Sequence, residues 1–398
     1  MLEILDNLLK SVTMINEISN CIFRITEEDL DLDLFESQYP IPTGITYNSY
    51  VIIDEKIAVM DTMDARVTEK WMSDLKTILG DRKIDYLIVS HMEPDHAANI
   101  GYLIQNHPEI RLVGNAKTFG MIQQFFDIDI AERSIVVDEG ESLDLGEHKL
   151  TFFMAPMVHW PEVMVTYESL SKSLFSADGF GRFGPMDEKT DWESEARRYY
   201  FNIVGKYGAP VQKLLAKASE LDICRICPLH GPVLENNLGR YIELYDTWSS
   251  YRPEKKGVAI VCASIYGNTL DVAKKMEKLI KSKGSDAILI DITRNHISYA
   301  IEAAFTYDSI IIASSTYEGG LFPVMGMFLS ELKSKKFQNR KVGIIENGTW
   351  APMSGRLIKD AMTGLQSMTI CEPMITIRSS MKKEDEKSMD ELASNMIA

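Results

Sequence analysis

After "SSYRPEKKG", residues 249–257, the chain settles into a regular alternation that leaves few choices of fold. The apolar runs "GVAIVCAS", "DAILIDIT", "DSIIIASS", "KVGIIENG" and "MITIRSS" are separated by amphipathic stretches such as "NTLDVAKKMEKLIKSKG" and "VMGMFLSELKSK". A short apolar run followed by a helical period reads as a βα unit. Repeated units bury their faces only as a parallel sheet with helices on both sides. Residues 253–398 are therefore expected to form a doubly wound five-stranded parallel sheet, with a last helix in "KKEDEKSMDELASNMIA". The earlier part reads differently. "SYVIIDEKIAVMDTM" alternates apolar residues around Asp54-Glu55, as a hairpin does. A chain of 398 residues exceeds one ordinary core, so two domains are expected, 1–252 and 253–398.

Charge separates the same two parts. There are 23 basic against 41 acidic residues up to Arg252, and 19 against 17 after it. An acidic first domain disfavours nucleic acid as a partner. No apolar run reaches the eighteen or so residues of a membrane span. The N-terminus is acidic and amphipathic, with Leu5, Leu8, Val12 and Ile15 on one helical face, and lacks the features of a signal peptide. A cytoplasmic protein is expected. Five cysteines argue against a disulfide framework. Cys224 and Cys227 form a CxxC, but on a strand they point to opposite faces and read as buried thiols.

The densest chemistry is "SHMEPDHAAN", residues 90–99. His91, Glu93, Asp95 and His96 follow the apolar run "IDYLIVS" directly. Three further runs end the same way: "KLTFFMAPMV" at His159, "SLFSA" at Asp178 and "ICRICPL" at His230. Ligands at strand ends can converge on one rim while the strand interiors stay in the core. Seven of them exceed one tetrahedral site, so a binuclear centre is expected. His107, His148 and His296 fall elsewhere and read as loop or surface residues.

In the second domain "CASIYGNTLDVA" follows the first strand and opens a helix, a ready site for a phosphate. Ser264, Ile265, Tyr266, Gly267, Asn268 and Thr269 supply hydroxyls, a flexible backbone and free amides. Neither the nucleotide-triphosphate pattern GxxxxGK[ST] nor the dinucleotide pattern GxGxxG is present. Two more loops leave strand ends. One offers Ser315, Thr316, Tyr317, Gly319 and Gly320; the other Asn347, Gly348, Thr349 and Trp350. Together they resemble flavodoxin, and FMN is the ligand the resemblance implies.

The order HxExDH, then a distant His, Asp and His, resembles the flavodiiron proteins, also called A-type flavoproteins. The resemblance covers nearly the whole chain. It implies a metallo-β-lactamase-like αββα sandwich followed by a flavodoxin-like domain. Hydrolases of that first fold show HxHxDH and bind zinc; here Glu93 stands at the second His, and a carboxylate suits redox-active iron. By position, one iron would be held by His91, Glu93 and His159, the other by Asp95, His96 and His230, with Asp178 bridging. Tyr199 and Tyr200 in "RRYYFNIVGKYG" are implied near the site. The chain departs from the commoner pattern in two places. It has Glu36 where many members carry "FHGY", and Phe183 where many have "FGQH"; such residues line the pocket and can donate protons.

The function so implied is reduction of dioxygen to water, of nitric oxide to nitrous oxide, or both, with electrons delivered through FMN. They would come from an external donor: rubredoxin, reduced deazaflavin or another reductase. The resemblance also implies a head-to-tail homodimer, or a tetramer of such dimers. Two other readings stay open: a zinc hydrolase with an appended flavodoxin, and a diiron sensor of O₂ or NO without turnover.

Overall fold

The hairpin and the βα alternation both form. The computed structural model describes residues 14–187 and 189–398. Leu5, Leu8 and Val12 of the expected N-terminal helix lie outside them. Ile15 is not helical: it sits in the strand Met14–Ser19, opposite Ile25 of the antiparallel strand Ile22–Asp29. Its apolar partner is supplied by strand pairing and not by a helical face.

The chain forms two compact units. One comprises residues up to Ala196 with Lys213–Tyr241; the other comprises Arg197–Gln212 with Ile242–Ala398. The first unit holds two sheets. A seven-stranded sheet runs, in spatial order, Met14–Ser19, Ile22–Asp29, Ile45–Ile53, Ile57–Met60, Tyr86–Ile88, Arg111–Gly114 and Ser134–Val136. Its first four strands pair antiparallel, including the hairpin that sets Ile53 opposite Ile57; the others pair parallel. A five-stranded sheet runs from Ser142–Asp144 through Lys149–Met154, Met164–Glu168 and Ser173–Phe175 to Arg225–Cys227. The sheets share one core, in which Tyr50, Ile52, Met60 and Val113 of the first pack with Leu150, Phe152, Met164 and Phe175 of the second. The helix Thr68–Leu79 buries Trp71, Leu75 and Leu79, one stripe of an amphipathic helix.

Two readings of single residues are corrected here. Cys227 is buried but Cys224 is exposed, because only the former points into the sandwich. His148 is not a surface residue: it is buried, with Nδ1 3.1 Å from the buried Glu168 carboxylate.

The second unit is a parallel sheet in the order Ala287–Asp291, Lys255–Ala263, Tyr307–Tyr317, Lys341–Asn347, with an edge strand broken into Thr369–Ile370 and Ile375–Ile377. In chain order this is 2-1-3-4-5, which puts a switch point beyond the ends of the first and third strands. Helices cover both faces, so central strands are buried on both sides and read as unbroken apolar runs. The pieces before residue 253 are knitted into this unit. Phe201 stacks on Phe305 with ring centres 4.3 Å apart, and Arg197 bonds Glu254 at 2.6 Å and Glu302 at 2.8 Å. Among the described residues no helix is long and apolar enough to cross a membrane.

Candidate functional site

The first unit places all seven metal-type side chains at the ends of elements. His91 follows the strand Tyr86–Ile88, Asp178 follows Ser173–Phe175, and His230 follows Arg225–Cys227. Glu93 sits at the start of the short helix Pro94–Ala97, which carries Asp95 and His96. All seven are buried. They form two groups, His91 with Glu93, His159 and Asp178, and Asp95 with His96 and His230; within each group the ligand atoms lie within 4.8 Å of one another.

Asp178 faces both groups. Its Oδ2 lies 3.0 Å from His159 Nε2 and 3.5 Å from His91 Nε2, while its Oδ1 lies 3.1 Å from His96 Nε2 and 3.8 Å from His230 Nε2. Glu93 Oε2 is 2.9 Å from His159 Nε2 and 3.2 Å from His91 Nε2. Asp95 Oδ2 is 3.3 Å from both His96 and His230 Nε2. The imidazoles also face one another, with Nε2 atoms 3.3 Å apart for His91 and His159 and 3.0 Å for His96 and His230. Two cationic imidazoles at that spacing repel, and two lone pairs share no proton. Both oxygens of buried Asp95 accept no hydrogen bond. A cation between each pair would satisfy these atoms at once, so the residues fit a pair of metals, with Asp178 facing both groups.

The electrostatics agree. Burial alone pulls an imidazole down and a carboxylate up. Here that effect is overridden: burial opposes it, yet Asp178 and Glu93 raise His159 to about 9. Burial likewise opposes the fall of Asp178, and His96 and His91 hold it well below the usual carboxylate range. Metal binding would displace the protons these pairs otherwise retain.

The imidazoles are aimed by groups that the sequence did not disclose. His91 Nδ1 lies 2.9 Å from Glu162 Oε1, and the same oxygen accepts the Met92 amide at 2.8 Å. His230 Nδ1 donates to the Thr46 carbonyl at 2.7 Å. Buried Asp61 accepts the Ser90 amide at 2.7 Å, which pins the loop entering His91. Such partners fix the tautomer that presents Nε2 inward.

The pocket residues divide. Glu36 is exposed, adjoins Glu93, and accepts from Gln38 at 3.1 Å. Partial burial of the carboxyl and the neighbouring Glu93 charge push it up to about 7. Phe183 is fully buried and packs edge-on against Phe35, whose ring in turn meets His230. Tyr199 is fully buried. The Tyr200 ring packs among Phe201, Tyr245 and Trp248. The half-buried Trp160 stands perpendicular to the His91 ring at 5.3 Å.

In the second unit a cavity of ≈ 300 Å³ opens at the switch point. Of the flavin-loop residues read from sequence, all but Gly267, Tyr317 and Gly320 line it. Gly267 instead makes the left-handed turn, φ 91°, that starts the helix Asn268–Ser282. Tyr317 and Gly320 pair with each other across a hairpin, and the Tyr317 ring rests on Phe322. Glu318, Ala351 and Ser379 line the cavity unforeseen. The Thr269 hydroxyl at the start of the helix meets the Ser315 hydroxyl near the end of the strand Tyr307–Tyr317 at 2.9 Å. Tyr266 is 92% exposed and Trp350 87%. Two open aromatic faces beside a cavity at a helix N-terminus fit a planar ring bearing an anionic tail.

Comparison with known proteins agrees with this layout. Residues 45–231 match the family described as "ODP family beta lactamase". The chain is 26% identical over 365 residues to the nitric oxide reductase of Moorella thermoacetica, covering 89% of this chain and 91% of that one. It is 27% identical over 336 residues to the rubredoxin-oxygen oxidoreductase of Megalodesulfovibrio gigas, covering 81% and 83%. The crystal structure of the flavodiiron protein from Giardia intestinalis superposes with a TM-score of 0.89 at 24% identity over 96% of each chain, which shows a shared fold.

Proposed function

Since the chain belongs to the flavodiiron proteins, we propose that it is an oxidoreductase holding FMN and a non-haem diiron centre, and that it reduces dioxygen, nitric oxide or both. The observation that carries this reading is the Asp178 carboxylate, with one oxygen toward each imidazole pair. When bound, the irons supply coordination sites for the gas and the flavin supplies the electrons. The protein's own part is geometric and protic. Glu162 and the Thr46 carbonyl keep Nε2 lone pairs inward. Phe35 and Phe183 keep the side of His230 dry. We assign proton delivery to Glu36, exposed beside Glu93, with the buried Tyr199 kept as the further candidate that the family resemblance suggests. Glu93, where a histidine would favour zinc, supports iron over a zinc hydrolase.

Electrons are proposed to come from an external donor such as a rubredoxin, the partner in the name of the Megalodesulfovibrio relative. They are proposed to cross between subunits of a head-to-tail dimer. The decisive experiment has three steps: metal and flavin analysis of protein made in iron-sufficient medium, anaerobic reduction, then parallel O₂ and NO consumption at a gas electrode. About two irons and one FMN per chain with sustained consumption are expected. Zinc alone, or a single turnover without steady consumption, would overturn the reading in favour of the hydrolase or the sensor.

A further inference from the structure

The strand Tyr307–Tyr317 turns back into Gly320–Leu321 through a loop of only Glu318 and Gly319, since Tyr317 pairs with Gly320. Both loop residues have positive φ, 49° and 70°. Such a two-residue turn strongly prefers Asn, Asp or Gly at its first position. A glutamate there sits in left-handed backbone with a long side chain that makes no turn of its own, at a cost of roughly 1 kcal/mol. The turn is also held in place, because Thr316 Oγ1 accepts the Met353 and Ser354 amides at 2.9 and 3.1 Å. A strained choice fixed at a cavity wall calls for a reason.

The cavity supplies one. Among the described residues Glu318 is the only charged one lining it; the others are neutral and none is basic. A flavin seated there therefore meets a single fixed negative charge and no compensating cation. Two-electron reduction adds two electrons and one proton to the ring system, which leaves one net negative charge on it. A nearby carboxylate disfavours that product and spares the neutral oxidised ring.

We propose that Glu318 sets the reduction potential of the bound flavin, holding it low so that the reduced ring is a stronger donor. The inference rests on the FMN reading above. Its strain is the counterpart: the position trades turn stability for a charge at the ring.

The test uses the full-length holoprotein and anaerobic titration with dithionite against indicator dyes. Glu318→Gln keeps the side-chain length and removes the charge. It should raise the two-electron midpoint by roughly 15–30 mV, a threefold to tenfold gain in relative affinity for the reduced ring. Glu318→Asn should give a similar rise in potential together with a higher melting temperature, because it restores the preferred turn residue. Glu318→Asp, still anionic, should stay near the unmodified potential. The shift should shrink in 1 M salt, as a through-space charge effect must and a packing effect need not. If the Gln and Asn variants bind FMN with unmoved potentials, the inference is overturned. Protein that folds but holds no FMN would overturn the flavin reading itself, which is a separate failure.

Discussion

At the metal centre seven ligand side chains are buried and crowd within 4.8 Å in each of two groups, whereas at the flavin cavity the two largest groups, Tyr266 and Trp350, are 92% and 87% exposed. The centre is assembled from charges that answer one another before any metal arrives: three carboxylates against four imidazoles, with Glu162 as a further carboxylate behind His91. The cavity is assembled from backbone turns, hydroxyls and open aromatic faces, which have no such internal answer. The first region should therefore fail all at once when one charge is removed. The second should weaken by increments as single contacts are lost.

The sharpest break of that contrast is Asp178→Ala. Both groups lose the carboxylate that stands between them, which faces His91, His96 and His159. Iron should fall far below two per chain by elemental analysis. Gas consumption should drop more than about a hundredfold, the upper end of what loss of even a supporting residue costs. FMN content should be unchanged. Retention of one full iron site would show that the two halves are independent, against the bridging geometry.

Next in size is Glu162→Gln, which keeps the shape but weakens the hold on His91 Nδ1. Metal affinity should fall by about 10–100-fold, measured by competition with a chelator. A change in flavin affinity in the same variant would break the separation of the two regions. In the cavity, Trp350→Ala removes one exposed aromatic face and should weaken FMN by about 1 kcal/mol, roughly fivefold in Kd by fluorescence titration. Complete loss of flavin would mean that the cavity, like the metal centre, depends on one indispensable group.

The contrast also explains what was legible in the sequence. His91, Glu93, Asp95, His96, His159, Asp178 and His230 announced themselves, because ligand chemistry needs particular side chains at strand ends, and strands show as apolar runs. The βα alternation was legible because a sheet buried on both faces admits only apolar residues along its central strands. Supporting groups were not. Glu162 lies 71 positions from His91 and reaches it only through the packing of two sheets. The Thr46 contact uses a carbonyl, which every residue carries. Tyr199 and Tyr200 could not be resolved from sequence, because an aromatic pair beside a family motif reads the same whether it faces a site or a core. Glu318 escaped because its position on the turn, and not its type, brings it to the cavity wall.

The smallest effect tests the electrostatic premise at a carboxylate that has no imidazole. Glu27 lies in the strand Ile22–Asp29, buried near the equally buried Asp74, with Lys70 and Glu28 as its other charged neighbours. Burial first, then Asp74, push it up to about 7, whereas Asp178, buried among imidazoles, is driven down. A carboxyl raised in the folded state binds its proton more tightly there than in the unfolded chain. Its contribution to stability is full below the unfolded value of 4.5 and is lost as the pH rises through about 7. Glu27→Gln removes the group that must ionise. It should therefore raise the unfolding free energy at pH 8 by about 1 kcal/mol, once solvent screening is allowed for, and change it little at pH 4. Denaturant titrations at the two pH values measure both arms. An equal gain at pH 4 would mean that shape and not charge limits the site, and would remove burial as the reason that the metal carboxylates need their imidazoles.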